Sequence, residues 1–272
     1  MKQSLIFPPH VKLDVRPTAR ELRWFAHVDR HGPQSSEFLY ECTRDTHRCK
    51  DTSLRRLQIL REAGYLRLPP QQRQIAKADF NPYIYDLTNL GWEYLGDQQV
   101  LERHCRPTGH WWHGLWVSAV SSSIEISATR SGLTYIPAAQ ILAIRSVEMG
   151  IPVSGTKLIP DQLFAIKYPD GYRAFALEVD RGTEPVRSMA ARKSLQRSVS
   201  HYQEVLAGKF HRNHYGIKSN LVVLWVFLSR ARQRQFEALL GEGGAGFKSI
   251  GVVGTAPRWL EMGDLQDMTL SV

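Results

Sequence analysis

Ile159-Pro-Asp-Gln-Leu-Phe-Ala-Ile-Lys-Tyr-Pro-Asp-Gly-Tyr-Arg-Ala-Phe-Ala-Leu-Glu-Val-Asp-Arg-Gly-Thr-Glu-Pro185 is the stretch on which the fold of the second half of the chain turns. It has the pattern of a β-hairpin. Asp161 opens the first strand, and Pro169-Asp170-Gly171 supplies the turn, Asp-Gly being a strong hairpin signal. Strand side chains alternate, so Phe175, Leu177 and Val179 share one face and Ala176, Glu178 and Asp180 the other. Glu178 and Asp180 then point the same way, about 7 Å apart along the strand. Pairing can bring Asp161 alongside them. Three converging carboxylates repel one another unless a cation lies between them, and hard oxygen ligands of this kind suit Mg2+ or Mn2+. The alternative is that they pair with nearby Arg173, Arg181 or Arg187.

Working outward, the chain alternates helices and strands. Upstream come a helical pattern from Trp111 to Arg130, a strand near Leu133 to Ile136, a helix from Ala138 to Val147, and a loop containing Gly150, Pro152 and Gly155. Downstream come a helix from Ser188 to Leu206, a strand at Leu221 to Leu228, a helix at Ala231 to Leu240, a Gly-rich turn at Gly241 to Gly246, and a strand from Phe247 to Val253. Helices interleaved with strands in this way predict an α/β sandwich with a mixed sheet.

The first half is helical apart from one hairpin. Periodicity predicts a helix at 18–30, stopped by Gly32-Pro33, and a short one capped by Ser35-Ser36 and running to about Thr43. A third, Leu54 to Ala63, is capped at Asp51, Thr52 or Ser53 and closed by Gly64. Its Leu54, Leu57 and Leu60 face the core, and Arg55, Arg56 and Arg61 lie off that stripe. Tyr65 to Leu68 and Pro82 to Leu87 follow as two strands, and a further helix starts near Gly91. The polar stretch Asp97 to Gly109 separates the halves, giving expected domains 1–108 and 109–272.

With 272 residues, 43% of them hydrophobic and 22% charged, the chain has the composition of a globular protein able to bury a core. The net charge of +9 favours acidic partners, nucleic acid foremost. Both sides of residue 108 are basic. Three widely spaced cysteines form no disulfide framework, which suits a reducing cytoplasm. No secretory signal opens the chain, and Leu221 to Leu228, its longest apolar run, is far too short to span a membrane.

Three resemblances sharpen these expectations. Three helices, a two-stranded wing and the run Tyr-Asp-Leu-Thr-x-x-Gly-x-x-x-Leu (85–95) resemble the winged helix-turn-helix family. In that family the third helix enters the major groove of duplex DNA and the wing touches its backbone or minor groove. The resemblance implies DNA contacts from Arg48, Lys50, Arg55, Arg56, Arg73 and Lys77. Winged helices also serve as protein-protein modules, and each of these cations alone can equally be a solvated surface residue.

Pro160-Asp161 with Glu178-Val179-Asp180 is similar to the PD-(D/E)xK nuclease superfamily, which has a restriction-endonuclease-like fold. Asp180 stands where that family has Lys. By this resemblance Asp161, Glu178 and Asp180 hold Mg2+ or Mn2+, Glu125 adds a further ligand, and Lys193 substitutes for the missing lysine in catalysis. Lys193 can also be no more than a solvated helix residue. The run Leu177 to Pro185, the Arg192-Lys193…Tyr202 segment and the upstream winged helix together look like the replication-relaxation family. That family is tied to plasmid mobilisation or replication, with relaxases that nick a transfer origin among its relatives. The resemblance implies a cytoplasmic DNA-binding protein of a mobile element that nicks or cleaves its site with a metal ion, and leaves room for a homodimer. The alternative is a regulator or accessory factor whose nuclease fold has lost turnover. A self-contained defence nuclease is a third class.

Other signals carry less. His110/His113 and His211/His214 have a spacing that zinc could use, but no third ligand stands at a persuasive distance. Tyr202 is a candidate nucleophile, yet it sits on the apolar stripe of its helix. The glycines at 241–246 lack the Lys-Ser/Thr of a phosphate loop.

Overall fold

The computed structural model describes residues 14–47, 49–74, 82–98, 110–188 and 194–252. The chain divides into two compact units, Met1–Ile126 and Ser127–Val272. The expected boundary at 108 falls outside the described residues. Among the described residues no helix is long and apolar enough to cross a membrane.

The first unit opens with α1 (Ala19–His31), at whose start the Glu21 carboxylate accepts a hydrogen bond from the Thr18 backbone N–H (2.8 Å). A two-residue strand, β1 (Gln34–Ser35), leads into α2 (Ser36–Cys42), where Ser35 Oγ caps by accepting from Phe38 N. Next comes α3 (Lys50–Glu62), which starts earlier than the caps read at Asp51, Thr52 or Ser53 implied. Those three residues form its first turn instead. An aspartate is favourable there beside the positive end of the helix dipole, and Ser53 Oγ donates to Lys50 O (2.7 Å) instead of capping. Gly64, at φ +88°, takes the left-handed conformation that ends the helix.

After it come β2 (Leu66–Arg67), β3 (Ile84–Leu87), α4 (Asn89–Asp97) and α5 (Trp111–Arg130). The unit boundary falls inside α5, after Ile126. β3 lies between β1 and β2, antiparallel to both. Sequence reading anticipated two of these strands. β1 escaped it because two residues have no periodicity.

The stripe predicted on α3 is present, with Leu57 and Leu60 buried against Trp24, Phe25, Val28, Leu39, Leu66, Leu87 and Leu95; Leu54 is half-buried. The Trp24 indole N–H is satisfied by Leu39 O and Thr43 Oγ1, both at 2.7 Å. Glu21 is fully buried and receives Arg56 Nε at 2.5 Å. Burial pushes the Glu21 pKa up, but hydrogen bonds from Arg56 and Thr18 outweigh it and the net shift is downward. Gly91 explains the glycine of the 85–95 motif. A Cβ there would meet the Tyr65 carbonyl oxygen at 2.5 Å, so α4 reaches the chain entering β2 only through a missing side chain.

The second unit contains β4 (Thr134–Pro137), α6 (Ala138–Ala143), β5 (Ile151–Val153), β6 (Thr156–Leu158), β7 (Gln162–Tyr168), β8 (Gly171–Asp180), α7 (Leu195–Ala207), α8 (Phe210–Tyr215), β9 (Leu221–Phe227), α9 (Arg230–Leu240) and β10 (Phe247–Gly251). Five strands form one mixed sheet in the order β10-β9-β8-β7-β4. The β4-β7 and β7-β8 pairs are antiparallel, while β8-β9 and β9-β10 are parallel. β9 is buried at every position and β8 from Ala174 to Val179, as expected of strands covered on both faces. The predicted α/β class holds.

Four details differ from expectation. The helix after β4 stops at Ala143, and the loop read at Gly150 to Gly155 is the β5-β6 hairpin, in which Ile151, Val153 and Leu158 are buried. α7 starts at Leu195 behind a Ser194 cap, and α8 was not foreseen.

Two stability measurements test this packing. Gly91→Ala should lose about 3 kcal/mol in urea unfolding, the upper part of the overpacking range, because the obstacle is backbone. Arg56→Ala should cost about 1–3 kcal/mol at pH 7 by leaving one oxygen of a buried carboxylate without its donor. Glu21 has a folded pKa below its ordinary 4.5. Its contribution is therefore complete above that value and fades as pH falls through the lowered one. The gap between wild type and Arg56→Ala should narrow in step.

Candidate functional site

The β7-β8 register pairs Gln162 with Leu177, so Asp161, the next residue in line, stands across from Glu178. The two are brought to one end of the hairpin, as the sequence implied. Asp161 Oδ2 accepts the backbone N–H of Val179 at 2.8 Å. Glu178 is buried and accepts the Tyr202 hydroxyl proton at 2.6 Å. Asp180 takes Gly182 N–H on one oxygen (2.5 Å) and Arg232 Nε on the other (3.0 Å). Arg232, nearly buried, also donates to the Glu184 carbonyl at 2.8 Å.

The arginine that meets Asp180 is thus on α9, not among Arg173, Arg181 and Arg187. Arg173 lies over the Tyr168 ring, 5.0 Å from its centroid. Tyr202 is a core residue, edge-on to Trp225 at 5.6 Å. Burial first, and then the charge of Glu178, raise its pKa well above the ordinary value, so it remains a protonated donor. Lys193 lies outside the described residues. Among the described residues, three ligand atoms within 4.8 Å of one another are presented by His27, His31 and Glu125, and not by the three acids.

Glu125 belongs to the first unit. Its Oε1 is paired with Arg30 and its Oε2 with His31, and His27 Nδ1 is 3.4 Å from the same Oε2. Burial brings the His31 pKa down to about 4 in spite of Glu125. Burial acts on His27 in the same direction, but Cys42 and Glu125 reverse it and lift the pKa to about 9. His27 and His31 were missed in the sequence, where the other histidine pairs drew attention. Their i, i+4 spacing on a well-marked amphipathic helix was the available signal.

The predicted DNA-contacting residues divide into groups. Arg55 is exposed on α3 and makes no hydrogen bond or ion pair among the described residues. Lys50 is exposed and meets Glu37 at 2.9 Å. Arg56 is half-buried and committed to Glu21. Arg73 is exposed in the 3-10 turn Pro70–Gln74. Arg48 and Lys77 lie outside the described residues.

A family model described as replication-relaxation matches residues 25–221, well over half of the chain, and the chain belongs to that family. No curated protein and no solved structure matches it.

The Asp180-Arg232 contact is open to a direct test. Arg232→Met should cost about 3–5 kcal/mol, the penalty for stranding one member of a buried pair. Adding Asp180→Leu should recover part of that loss, which a double-mutant cycle in urea would measure.

Proposed function

We propose that this chain is a double-stranded DNA-binding protein of plasmid or mobile-element replication and mobilisation. In this reading the first unit is a winged helix that selects the site, and the second is a PD-(D/E)xK-like sandwich that has lost turnover. Family membership supports the setting. The order α1-β1-α2-α3-β2-β3, with β1 completing a three-stranded sheet, supports the winged helix. On α3, Arg55 is exposed on the face opposite the buried Leu57 and Leu60, available to the sugar-phosphate backbone or to base edges, and Lys50 is exposed in the first turn of the same helix.

The observation that carries the non-cleaving reading is the Asp180-Arg232 pair. The position at which the nuclease superfamily has a water-activating lysine holds a carboxylate already neutralised by a guanidinium. A second reading keeps metal-dependent nicking of the relaxase type. It is favoured by Asp161 and Glu178 standing opposite each other, two hard-oxygen ligands of the chemistry Mg2+ or Mn2+ takes. A cation there would polarise a scissile phosphate. Asp180, with both oxygens engaged, fits that ion poorly.

Arg55→Ala should leave the melting temperature unchanged, weaken DNA binding about 10-fold and lower the salt-dependence slope by about 1, as removal of one phosphate contact does. Unaltered affinity and slope would remove α3 from the interface. Supercoiled plasmid bearing the cognate origin, incubated with Mn2+, should stay closed while footprinting shows protection. Open circles that vanish with Glu178→Gln would establish nicking in place of the non-cleaving reading.

A further inference from the structure

We infer that His27, His31 and Glu125 form a binding site for one Zn2+ ion inside the first unit, joining α1 to α5. The site is separate from the hairpin carboxylates and does not depend on the DNA-binding reading.

Its geometry is that of a metal site with its outer contacts in place. His27 and His31, four residues apart on α1, present their rings on one face, centroids 4.6 Å apart. His27 Nδ1 and His31 Nε2 both turn to the same oxygen of Glu125. The remaining ring nitrogens are each taken by a serine of α5: His27 Nε2 meets Ser122 Oγ at 2.6 Å and His31 Nδ1 meets Ser121 Oγ at 2.9 Å. Such bonds orient metal-bound imidazoles. Arg30 pairs with the other carboxylate oxygen, Oε1.

The spacing also fits. Donors on a tetrahedral zinc with bonds of 2.0–2.1 Å lie about 3.4 Å apart. The His27 Nδ1 to Glu125 Oε2 separation is 3.4 Å, and all three donor atoms lie within 4.8 Å of one another. The ion would replace the direct His31-Glu125 hydrogen bond. The thiol of Cys42, on α2, lies beside His27 but outside the set of three whose donor atoms are within 4.8 Å of one another.

Two imidazoles, a carboxylate and a nearby thiol select a borderline ion such as Zn2+ over Mg2+ or Ca2+. Both rings are buried, which suits an ion that holds structure. The competing account is a metal-free network of histidines, Arg30 and Glu125 that ties the same helices.

The test uses the full chain, stripped with chelator and titrated with Zn2+ against a chromophoric competitor, with Co2+ as a spectroscopic substitute. One equivalent should bind tightly and raise the melting temperature. Co2+ should give the visible bands of a tetrahedral site, and the loss of a sulfur charge-transfer band in Cys42→Ser would place the thiol on the ion. His31→Gln and Glu125→Gln should each weaken binding at least 10-fold. His113→Ala combined with His214→Ala, which disrupts the other histidine pairs, should change nothing. Should His31→Gln fail to fold, the stripped wild type, checked for fold by circular dichroism, decides alone. Folded protein that takes up neither Zn2+ nor Co2+ would overturn the site in favour of the metal-free network. So would binding lost only in the His113/His214 variant.

Discussion

A strand buried on both faces has no water with which to satisfy a polar side chain. β8 is such a strand, set between β7 and β9 in the mixed sheet, and it carries Glu178 and Asp180 at its end. An unpaired carboxylate there would be heavily penalised, so the surrounding elements must bring donors. α7 brings the Tyr202 hydroxyl, α9 brings the Arg232 guanidinium, and the strand's own backbone N–H at Val179 serves Asp161. Both helices flank the sheet at positions set by long crossovers. The donors therefore constrain how those helices dock as much as apolar packing against Trp225 and Phe236 does.

The first unit meets a similar demand with Glu21, which stands on α1 with the buried Trp24, Phe25 and Val28. One carboxylate oxygen closes the start of α1, and the other receives Arg56 from α3. A single buried charge thus links the N-terminus of one helix to the middle of another. This divides labour between adjacent arginines of α3: Arg56 is held by the core, and Arg55 is left to the surface.

Legibility in the sequence followed the range of the interaction. The β7-β8 hairpin, α1, α2, α5 and β9 could be read because turn chemistry, caps and apolar periodicity are written in consecutive residues. The β5-β6 hairpin was hidden because Gly150, Pro152 and Gly155 look like loop residues. Its apolar positions Ile151, Val153 and Leu158 are too few to set a period. The start of α3 was misplaced because Asp, Thr and Ser favour both caps and first turns. At the candidate site, the meeting of Asp161 with Glu178 followed from the hairpin register. The Arg232 partner of Asp180 lies 52 residues away on another helix, and nothing local announces it. His27 and His31 were readable as a pair, but their carboxylate, some 94 residues on, is brought to them only by folding.

The parallel pairing of β8 with β9 has a consequence for synthesis. About 40 residues separate the end of β8 from the start of β9. At roughly 5–20 residues per second, the ribosome takes roughly 2–8 seconds to deliver them. The β7-β8 hairpin can close within microseconds, so a nascent chain carries β8 with one open, largely apolar edge until its neighbour emerges. Glu178 waits for Tyr202, which arrives within that interval, and Asp180 waits longer, for Arg232 beyond β9. Negative charges on an open edge discourage the stacking of one unfinished chain on another. The carboxylates that later lock α7 and α9 against the sheet first act as gatekeepers of the growing polypeptide.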